Sequence, residues 1–245
     1  NNKIDLKYKK DYLITIVQPN ISQKQKWDRE LFKRHLQKLK ELSIYNHKIP
    51  INKKRLIIWP ETAFAGVYPR DEKLLVELVK KVINKDRNVN LFLGLIRKEN
   101  KKIYNSSILF NSSLEIEKVY DKNFLVPFGE YNPASFFFNF LPSFASDIDF
   151  NKGKTRPKFS IYPSMEFIPL ICYEVIFNNY IFDNLSNQTS LIINITNDAW
   201  FGDSIGPYQH FKFAKIRAVE FGIPVVRVAN TGISALINPY GEILE

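Results

Sequence analysis

The sequence is poor in the residues that build disulfide frameworks and multi-ligand metal sites. Its 245 residues include one cysteine and three histidines. A single cysteine excludes an internal disulfide framework and a metal site made of several cysteines. The sequence also lacks the ~18 consecutive apolar residues that a membrane-spanning helix needs, because Pro169, Glu174 and Asp198 interrupt the longest apolar segments, 167–177 and 190–201. No secretory signal peptide is visible.

The overall composition is that of a globular protein. Hydrophobic residues make up 45% of the chain and charged residues 24%, which excludes disordered and fibrous classes. The 35 Lys and Arg residues outnumber the 25 Asp and Glu residues, giving a net charge of +10. This excess has two interpretations, a genome rich in Lys and Asn codons or attraction to anionic lipid headgroups. The basic residues are scattered and form no nucleic-acid signature, so we expect no nucleic-acid partner.

Strand-like and helix-like segments alternate along the chain. The clearest helix is predicted at Glu72–Ile83, where apolar residues recur at helical spacing. Short apolar runs predict strands. The alternation predicts one layered α/β domain over residues 1–245. The predicted strands cover 12–17, 55–59, 91–96, 103–110, 114–120, 167–172, 190–196, 224–229 and 233–238, and further helices are predicted over 27–42, from about 174, and over 209–221.

A phenylalanine-rich segment, residues 131–150, does not fit this alternation. It holds six of the chain's 20 phenylalanines, and Pro133 and Pro142 interrupt any regular element. Irregular insertions of this length are usually functional or disordered, and so aromatic a stretch argues against disorder. Its phenylalanines either fill gaps in the core or form an apolar lid loop that contacts a membrane.

Cys172 lies at the end of a predicted strand and before a predicted helix. A lone cysteine is most often an inert buried side chain. At a strand-to-helix turn, however, a thiol can act as a nucleophile, with the N–H of Tyr173 stabilising an oxyanion. A nucleophile needs a base, which is usually a histidine. His35 and His47 lie in Lys-rich surroundings and are interpreted as surface residues, whereas His210 has no evident orienting motif.

Carboxylates are the alternative bases. Glu61 follows a predicted strand and Pro60, and the carboxyl ends of strands are where α/β sheets place their sites. Alternatively, Glu61 is a surface or helix-capping carboxylate. Lys122 and Glu130 lie in the mostly apolar segment DKNFLVPFGEY, where unpaired buried charges would be costly.

The motifs WPETA, DKNFLVPFGEY and ICYE follow one another in this order, each at a predicted strand end. This set resembles the Glu–Lys–Cys triad of the carbon–nitrogen hydrolase (nitrilase) superfamily. The segment NDAWFGDSIGPYQH, at 197–210, and the KWD around Trp27 are similar to its apolipoprotein N-acyltransferase branch. The resemblance runs from about Leu13 to Ile243. The sequence departs from this pattern at two places. After WPETA, residues 64–66 stand where the family commonly has a Pro-containing apolar turn. At position 208 this chain has Tyr, where the branch usually has Trp.

The resemblance implies a four-layer α-β-β-α sandwich and a set of roles. Glu61, Lys122 and Cys172 would be the general base, the oxyanion-stabilising cation and the nucleophile. Supporting roles would fall to Glu130 and Glu174, together with the Tyr173 N–H. Candidate substrate contacts are Trp27, Trp200, Phe136, Phe137, Phe138 and Phe140. No metal and no cofactor are implied.

The implied reaction moves a fatty acyl chain from a phospholipid, through a thioester on Cys172, to the N-terminal amine of diacylglyceryl-cysteine lipoproteins. Members of the branch carry membrane helices on both sides of this domain, and the chain runs from Asn1 to Glu245 without them. We therefore expect a monomeric catalytic domain at the membrane surface, on the periplasmic side of a bacterial inner membrane. The alternatives are an amidase that uses water as acceptor and a non-catalytic lipid-binding module.

Overall fold

The alternating sequence forms two β-sheets with helices on their outer faces. A computed structural model describes residues 12–44, 54–83, 88–131, 149–161 and 165–244. The first half contains β1 (Tyr12–Ile16), α1 (Gln23–Lys26), α2 (Phe32–Ile44), β2 (Lys54–Ile58), β3 (Phe64–Tyr68), α3 (Glu72–Ile83), β4 (Val89–Glu99), β5 (Lys102–Phe110) and β6 (Ile116–Asp121). The second half contains β7 (Phe159–Ser160), β8 (Glu166–Ile171), a 3₁₀ turn (Cys172–Ile176), α4 (Asn178–Phe182), β9 (Thr189–Thr196), a second 3₁₀ turn (Asp198–Phe201), α5 (Gly206–Phe221), β10 (Val225–Ala229) and β11 (Ala235–Ile237).

The first sheet has the strand order β1-β2-β4-β5-β6, with β3 also paired to β4. Strands β1, β2 and β4 are parallel, whereas β5 and β6 complete an antiparallel meander. Because β4 is 11 residues long, it pairs with β2 over its first half and with β3 over its second half. The chain therefore leaves the sheet after β2 and returns to it as β3, and Glu61 lies in this gap.

The second sheet has the order β11-β10-β9-β8-β7. Its central strands β8, β9 and β10 are parallel, and β7 and β11 are antiparallel edges. Strand β8 is buried along its whole length, as expected for a strand covered on both faces. Cys172 directly follows the last residue of β8, so its thiol lies at the carboxyl end of this strand.

Three hydrophobic clusters define the layers. One cluster joins α2 and α3 to the outer face of the first sheet, through residues such as Leu39 and Leu75. A second cluster lies between the two sheets and includes Phe92 and Phe167. The third joins the second sheet to α5 through Ala214 and its neighbours. The order helix, sheet, sheet, helix is the four-layer α-β-β-α sandwich that the resemblance implies.

Several sequence-based boundaries need correction. The helix expected at 27–42 begins only at Phe32, after the separate four-residue α1. The chain after Cys172 forms a 3₁₀ turn before α4, and α5 begins at Gly206 rather than at 209 because Pro207 fits the first turn of a helix. Strand β3 was not predicted at all.

His35 was predicted to lie on the surface, and this prediction is wrong. Its side chain is 7% exposed, on the face of α2 that also carries Leu36 and Leu39. Burial lowers the pKa of His35. His47 and most of the phenylalanine-rich segment, residues 132–148, lie outside the described residues. Within the described ranges, no helix has the length and apolar character needed to cross a membrane.

Candidate active site

Glu61 is held in the gap between β2 and β3 by close backbone packing. Its side chain is 4% exposed, so it is neither a surface carboxylate nor an exposed helix cap. The N–H of Gly94, in β4, donates to the carbonyl of Pro60 at 3.3 Å. A Cβ atom on Gly94 would lie 2.7 Å from the Cα of Glu61 and 2.6 Å from the backbone nitrogen of Thr62. Only glycine lets this turn approach the sheet so closely.

The Glu61 carboxylate belongs to a buried cluster with Asn105, Lys122 and Glu130. The Asn105 amide donates to Oε1 of Glu61 at 2.8 Å and to Oε1 of Glu130 at 2.9 Å. The Lys122 ammonium donates to Oε2 of Glu130 at 2.7 Å and lies 3.9 Å from Oε1 of Glu61. Among the described residues, Oε2 of Glu61 is buried without a hydrogen-bond partner. This oxygen is thus left for a ligand or a proton.

Lys122 carries a permanent positive charge in this cluster. Its side chain is 1% exposed. Burial lowers the pKa of the ammonium, but Glu130, Cys172 and Glu61 raise it more, so the pKa of Lys122 lies above its ordinary value. Glu130 is itself fixed because the Val126 N–H donates to its Oε2 at 2.9 Å. The two buried charges of this segment therefore pair with each other.

Cys172 begins the 3₁₀ turn in a strained backbone conformation. Its φ is 53°, in the left-handed region that side chains other than glycine rarely adopt. Such strain is typical of functional turns. The thiol lies within electrostatic range of Glu61, Lys122 and Glu130, and Thr196 at the end of β9 lowers its pKa. The structure thus brings the three predicted triad members into one buried region between the sheets.

The thiol of Cys172 is protonated at rest. Burial raises its pKa to about 12, the Glu61 carboxylate adds to the rise, and the Lys122 ammonium opposes it. A thiolate is the reactive form of cysteine. Attack by this sulfur therefore requires a base that removes the proton during the reaction, and the free oxygen of Glu61 is suited to that role.

Glu174 connects the Cys172 turn to the Lys122 segment. Its Oε1 accepts the Tyr120 hydroxyl at 2.7 Å and the N–H groups of Asn123 and Phe124 at 2.6 and 3.1 Å. Its Oε2 accepts the N–H of Ile171 at 2.8 Å. Burial raises the pKa of Glu174 to about 7, and the hydrogen bonds from the backbone oppose the rise. The predicted supporting role of Glu174 is a mechanical one, since it ties the ends of β6 and β8 together.

A buried polar network that the sequence did not reveal holds the carbonyl group of Cys172. Nε2 of His210 and the amide of Asn194 each donate to this oxygen at 3.1 Å. Nδ1 of His210 lies 2.9 Å from Oδ1 of Asp198, and Arg227 donates to the other oxygen of Asp198 at 2.7 Å. Burial raises the pKa of Asp198, but His210 and Arg227 lower it more. His210 therefore supports the Cys172 turn, with both of its ring nitrogens engaged by other groups.

Asn105 was also missed, although a signal was available. It interrupts an apolar stretch of β5, and a buried amide without partners would be costly. That cost predicts a polar partner, which proves to be the pair Glu61 and Glu130.

Several exposed aromatic and aliphatic side chains lie in the segments that follow the strands carrying the site. Tyr173, the second residue of the first 3₁₀ turn, has its ring 5.6 Å from that of His210. N–H groups in the first turn of a helix lack acceptors within the helix, so its N–H suits an oxyanion. Trp27 is 43% and Trp200 48% exposed. The remaining exposed members are Phe128, Phe177, Ile205 and Tyr208.

The described residues offer no metal centre, since no group of three or more His, Cys, Asp or Glu side chains is arranged to hold an ion there. The predicted contacts Phe136, Phe137, Phe138 and Phe140 fall outside the described residues. Their role stays a prediction.

Residues 13–245 match the family model described as carbon-nitrogen hydrolase. The chain belongs to the carbon–nitrogen hydrolase family. Its sequence is 39% identical over 247 residues to the apolipoprotein N-acyltransferase of Agrobacterium fabrum, and 37% identical over 243 residues to that of Rickettsia prowazekii. These matches cover 94% and 96% of this chain. The chain spans only 45% and 47% of the length of these relatives.

Solved structures of carbon–nitrogen hydrolases have the same fold. Saccharomyces cerevisiae Nit3, a nitrilase-superfamily member, superposes with a TM-score of 0.70 at 18% identity, covering 94% of this chain and 83% of Nit3. A mutant amidase from Nesterenkonia sp. AN1, whose active-site cysteine carries an acrylamide adduct, superposes with a TM-score of 0.62 at 15% identity. That match covers 95% of this chain and 86% of the amidase. At these identities the likeness concerns the fold alone.

Proposed function

We propose that this chain is the catalytic part of an N-acyltransferase that acylates the N-terminal amine of diacylglyceryl-cysteine lipoproteins. The acyl donor is a phospholipid, and the acyl group is carried as a thioester on Cys172. The observation that supports this most is a lone buried thiol within electrostatic range of an unpartnered carboxylate oxygen and a permanent cation. The sequence similarity to enzymes named apolipoprotein N-acyltransferase supports the choice of substrates.

The first half-reaction forms the thioester. Glu61 removes the proton from the thiol of Cys172 as the sulfur attacks the ester carbonyl carbon of the phospholipid. The resulting oxyanion is stabilised by the Lys122 ammonium and by the N–H of Tyr173; losing one such donor typically costs about 10²–10³ in rate. When the carbonyl re-forms, the carbon–oxygen bond breaks, and Glu61 returns its proton to the departing lysophospholipid alkoxide.

The second half-reaction consumes the thioester. The lipoprotein amine attacks the acyl carbon, and Glu61 accepts the proton that the nitrogen loses. Collapse of the tetrahedral intermediate breaks the carbon–sulfur bond, forms the amide and returns the proton from Glu61 to the sulfur. A thioester suits this step because amines attack it more readily than they attack the original ester. Water would compete with the amine, so the site must exclude it.

The surroundings of the site support contact with a membrane. The exposed aromatic and aliphatic residues Trp27, Phe128, Tyr173 and Trp200 lie on turns after β1, β6, β8 and β9, which place them at one end of the sandwich. Such a surface partitions into the boundary between headgroups and acyl chains, and the net charge of +10 favours anionic lipid. We assign this surface to the periplasmic side of a bacterial inner membrane, with the protein acting as a monomer.

The phenylalanine-rich segment begins and ends beside Glu130. The N–H of Phe150 donates to the carbonyl of Glu130 at 2.8 Å, and the N–H of Phe128 donates to that of Tyr131 at 2.8 Å. Both described ends therefore lie next to the Lys122 and Glu130 pair. This location supports the sequence-based prediction of an apolar lid loop at 131–150.

Mass spectrometry tests the thioester directly. The purified protein is incubated with phosphatidylethanolamine vesicles, with and without a synthetic diacylglyceryl-cysteine peptide. We expect a hydroxylamine-sensitive acyl adduct on Cys172 without the peptide, and N-acylated peptide when it is present. Cys172→Ala should abolish both, and Glu61→Gln should slow adduct formation by about 10²–10⁴-fold.

Two outcomes would overturn the proposal. Turnover of small amides without N-acylation of the peptide would indicate an amidase that uses water. Full lipid-dependent function in Cys172→Ala would indicate a binding module without covalent chemistry.

A further inference from the structure

Lys26 is a second buried ammonium group beside Glu61. It is the last residue of α1 and is only 3% exposed. Its Nζ donates to the backbone carbonyl of Glu61 at 3.1 Å and to the hydroxyl of Thr62. A lysine is almost never fully buried unless its charge is paired. The mechanism above assigns no role to this one.

The turn that Lys26 contacts is strained. Thr62 has a φ of 44°, and a β-branched residue in this left-handed region is a genuine outlier. On its other side the turn is pressed against Gly94, without room for a Cβ atom. Strained conformations persist only where the surroundings hold them. Here the two hydrogen bonds from the Lys26 ammonium supply part of that restraint.

The charged and titratable groups that face Lys26 come from three elements. The Glu61 carboxylate attracts its ammonium, and Cys172 and His35 lie within electrostatic range of it. The ring of Trp27 is 5.9 Å from Nζ. Burial lowers the pKa of Lys26 to about 8, and Glu61 and Cys172 oppose this fall.

We propose that Lys26 is a positioning residue: its ammonium clamps the Glu61–Thr62 turn and so aims the carboxylate of Glu61 at the thiol of Cys172. This inference rests on the proposed role of Glu61 as the base. Lys26 touches neither the substrate nor the reacting atoms. Its removal should therefore lower the rate of the chemical step and leave KM nearly unchanged.

Alkylation of Cys172 by iodoacetamide isolates this effect from lipid chemistry. The chain has one cysteine, so the alkylation rate reports on this thiol alone. We expect Lys26→Met, which keeps the aliphatic volume, to lower the alkylation rate and kcat by up to about 10²-fold, the cost typical of a misplaced catalytic group. The difference in rate between wild type and Lys26→Met should be largest below pH 8 and shrink above it, because deprotonation of Lys26 weakens its hold on the turn in the wild-type protein.

Three further variants make the result interpretable. Lys26→Arg keeps a cation and should restore most of the rate, and Thr62→Val removes one of the two acceptors and should give an intermediate rate. Lys24→Met, at an exposed position of the same helix, should behave as wild type. Circular dichroism confirms folding of each variant; if Lys26→Met does not fold, Thr62→Val and Lys26→Arg carry the comparison.

The outcomes separate this inference from the proposed function. Wild-type alkylation and kcat in folded Lys26→Met, or in Thr62→Val if only that variant folds, would overturn the positioning role even if acyl transfer is observed. Conversely, slowed alkylation in these variants, with rescue by Lys26→Arg, would support the role of Lys26 even if no acyl group is transferred from lipid.

Discussion

Glu174 shows how one buried carboxylate can organise a site without touching the reacting atoms. It accepts N–H groups from Ile171, Asn123 and Phe124, which lie on either side of the gap between the two sheets. The Cys172 turn and the Lys122 segment are thereby fixed relative to each other. A residue of this kind links catalytic geometry to folding stability, because the same hydrogen bonds serve both.

The raised pKa of Glu174 makes a prediction about pH. Its pKa rises from 4.5 to about 7 on folding, so the folded state binds the proton more tightly. The stability from this group is full below about pH 4.5 and is lost as pH rises through 7. Between pH 5 and 8, we expect wild type to lose about 2.5 kcal/mol more unfolding free energy than Glu174→Gln. Urea denaturation at both pH values measures this; equal losses in the two proteins would contradict it.

At the scale of elements, the gap between β2 and β3 presents Glu61, the proposed base. A continuous strand would have buried Glu61 in the sheet, whereas the break turns its side chain toward the second sheet. Because β4 spans both β2 and β3, it serves as a rigid support across the gap. The absence of a side chain at Gly94 allows the turn to lie against that support.

Gly94→Ala should therefore damage the site. The new methyl group would meet backbone atoms of Pro60, Glu61 and Thr62 at 2.6–2.7 Å, and backbone cannot rotate away. We expect adduct formation on Cys172 to slow by about 10²-fold, with a loss of about 1–3 kcal/mol in unfolding free energy.

The matched control for this substitution is Gly129→Ala, where the added atom would find its nearest neighbour, in Val126, at 3.4 Å. Rates of adduct formation and urea denaturation are compared for both variants. Wild-type kinetics in Gly94→Ala would show that the turn does not depend on this contact.

The strand-to-turn junction at Cys172 is an element of the same kind. Cys172, whose backbone is in the left-handed region, is held by Asn194 and His210, which both donate hydrogen bonds to its carbonyl. Asp198 and Arg227 hold His210 in turn. Donors from β9 and α5 thus converge on one backbone oxygen, and Arg227 of β10 supports both of them through Asn194 and Asp198.

At the scale of the whole molecule, the site depends on how the two sheets pack. Asn105 lies in the first sheet, and Glu61 and Lys122 follow its strands. Thr196 lies in the second sheet, and Cys172 follows one of its strands. The hydrophobic cluster between the sheets sets their separation. Phe92 is central to it, with ring contacts to Phe159 at 5.7 Å and Phe167 at 5.4 Å.

Phe92→Ala should lower the free energy of unfolding by about 3–5 kcal/mol, because it removes a fully buried ring and leaves a cavity between the sheets. Phe182→Ala, at a side chain that is 68% exposed, is the control and should change it by less than about 0.5 kcal/mol. Urea denaturation provides both values. A loss below 1 kcal/mol for Phe92→Ala would mean that the sheets do not rely on this contact.

Local patterns in the sequence were sufficient for most elements. Helix α3 was predicted with its observed bounds, because its apolar stripe is regular and complete. Strand β3 was not predicted because it has only five residues and closely follows the turn at Pro60. Its pairing depends on a partner, β4, whose length the local pattern underestimated. The early start of α5 was missed because Pro207 looks like a helix breaker unless its first-turn position is known.

The sequence by itself determined which chemical groups are present and that each triad residue follows a strand. Only the tertiary structure decided their neighbours: Asn105 between Glu61 and Glu130, His210 on the carbonyl of Cys172, and Lys26 beneath the turn of Glu61. The physical reason is that charge and hydrogen-bonding capacity are properties of a residue. Burial and partnership arise instead from the packing of segments that are far apart in the chain.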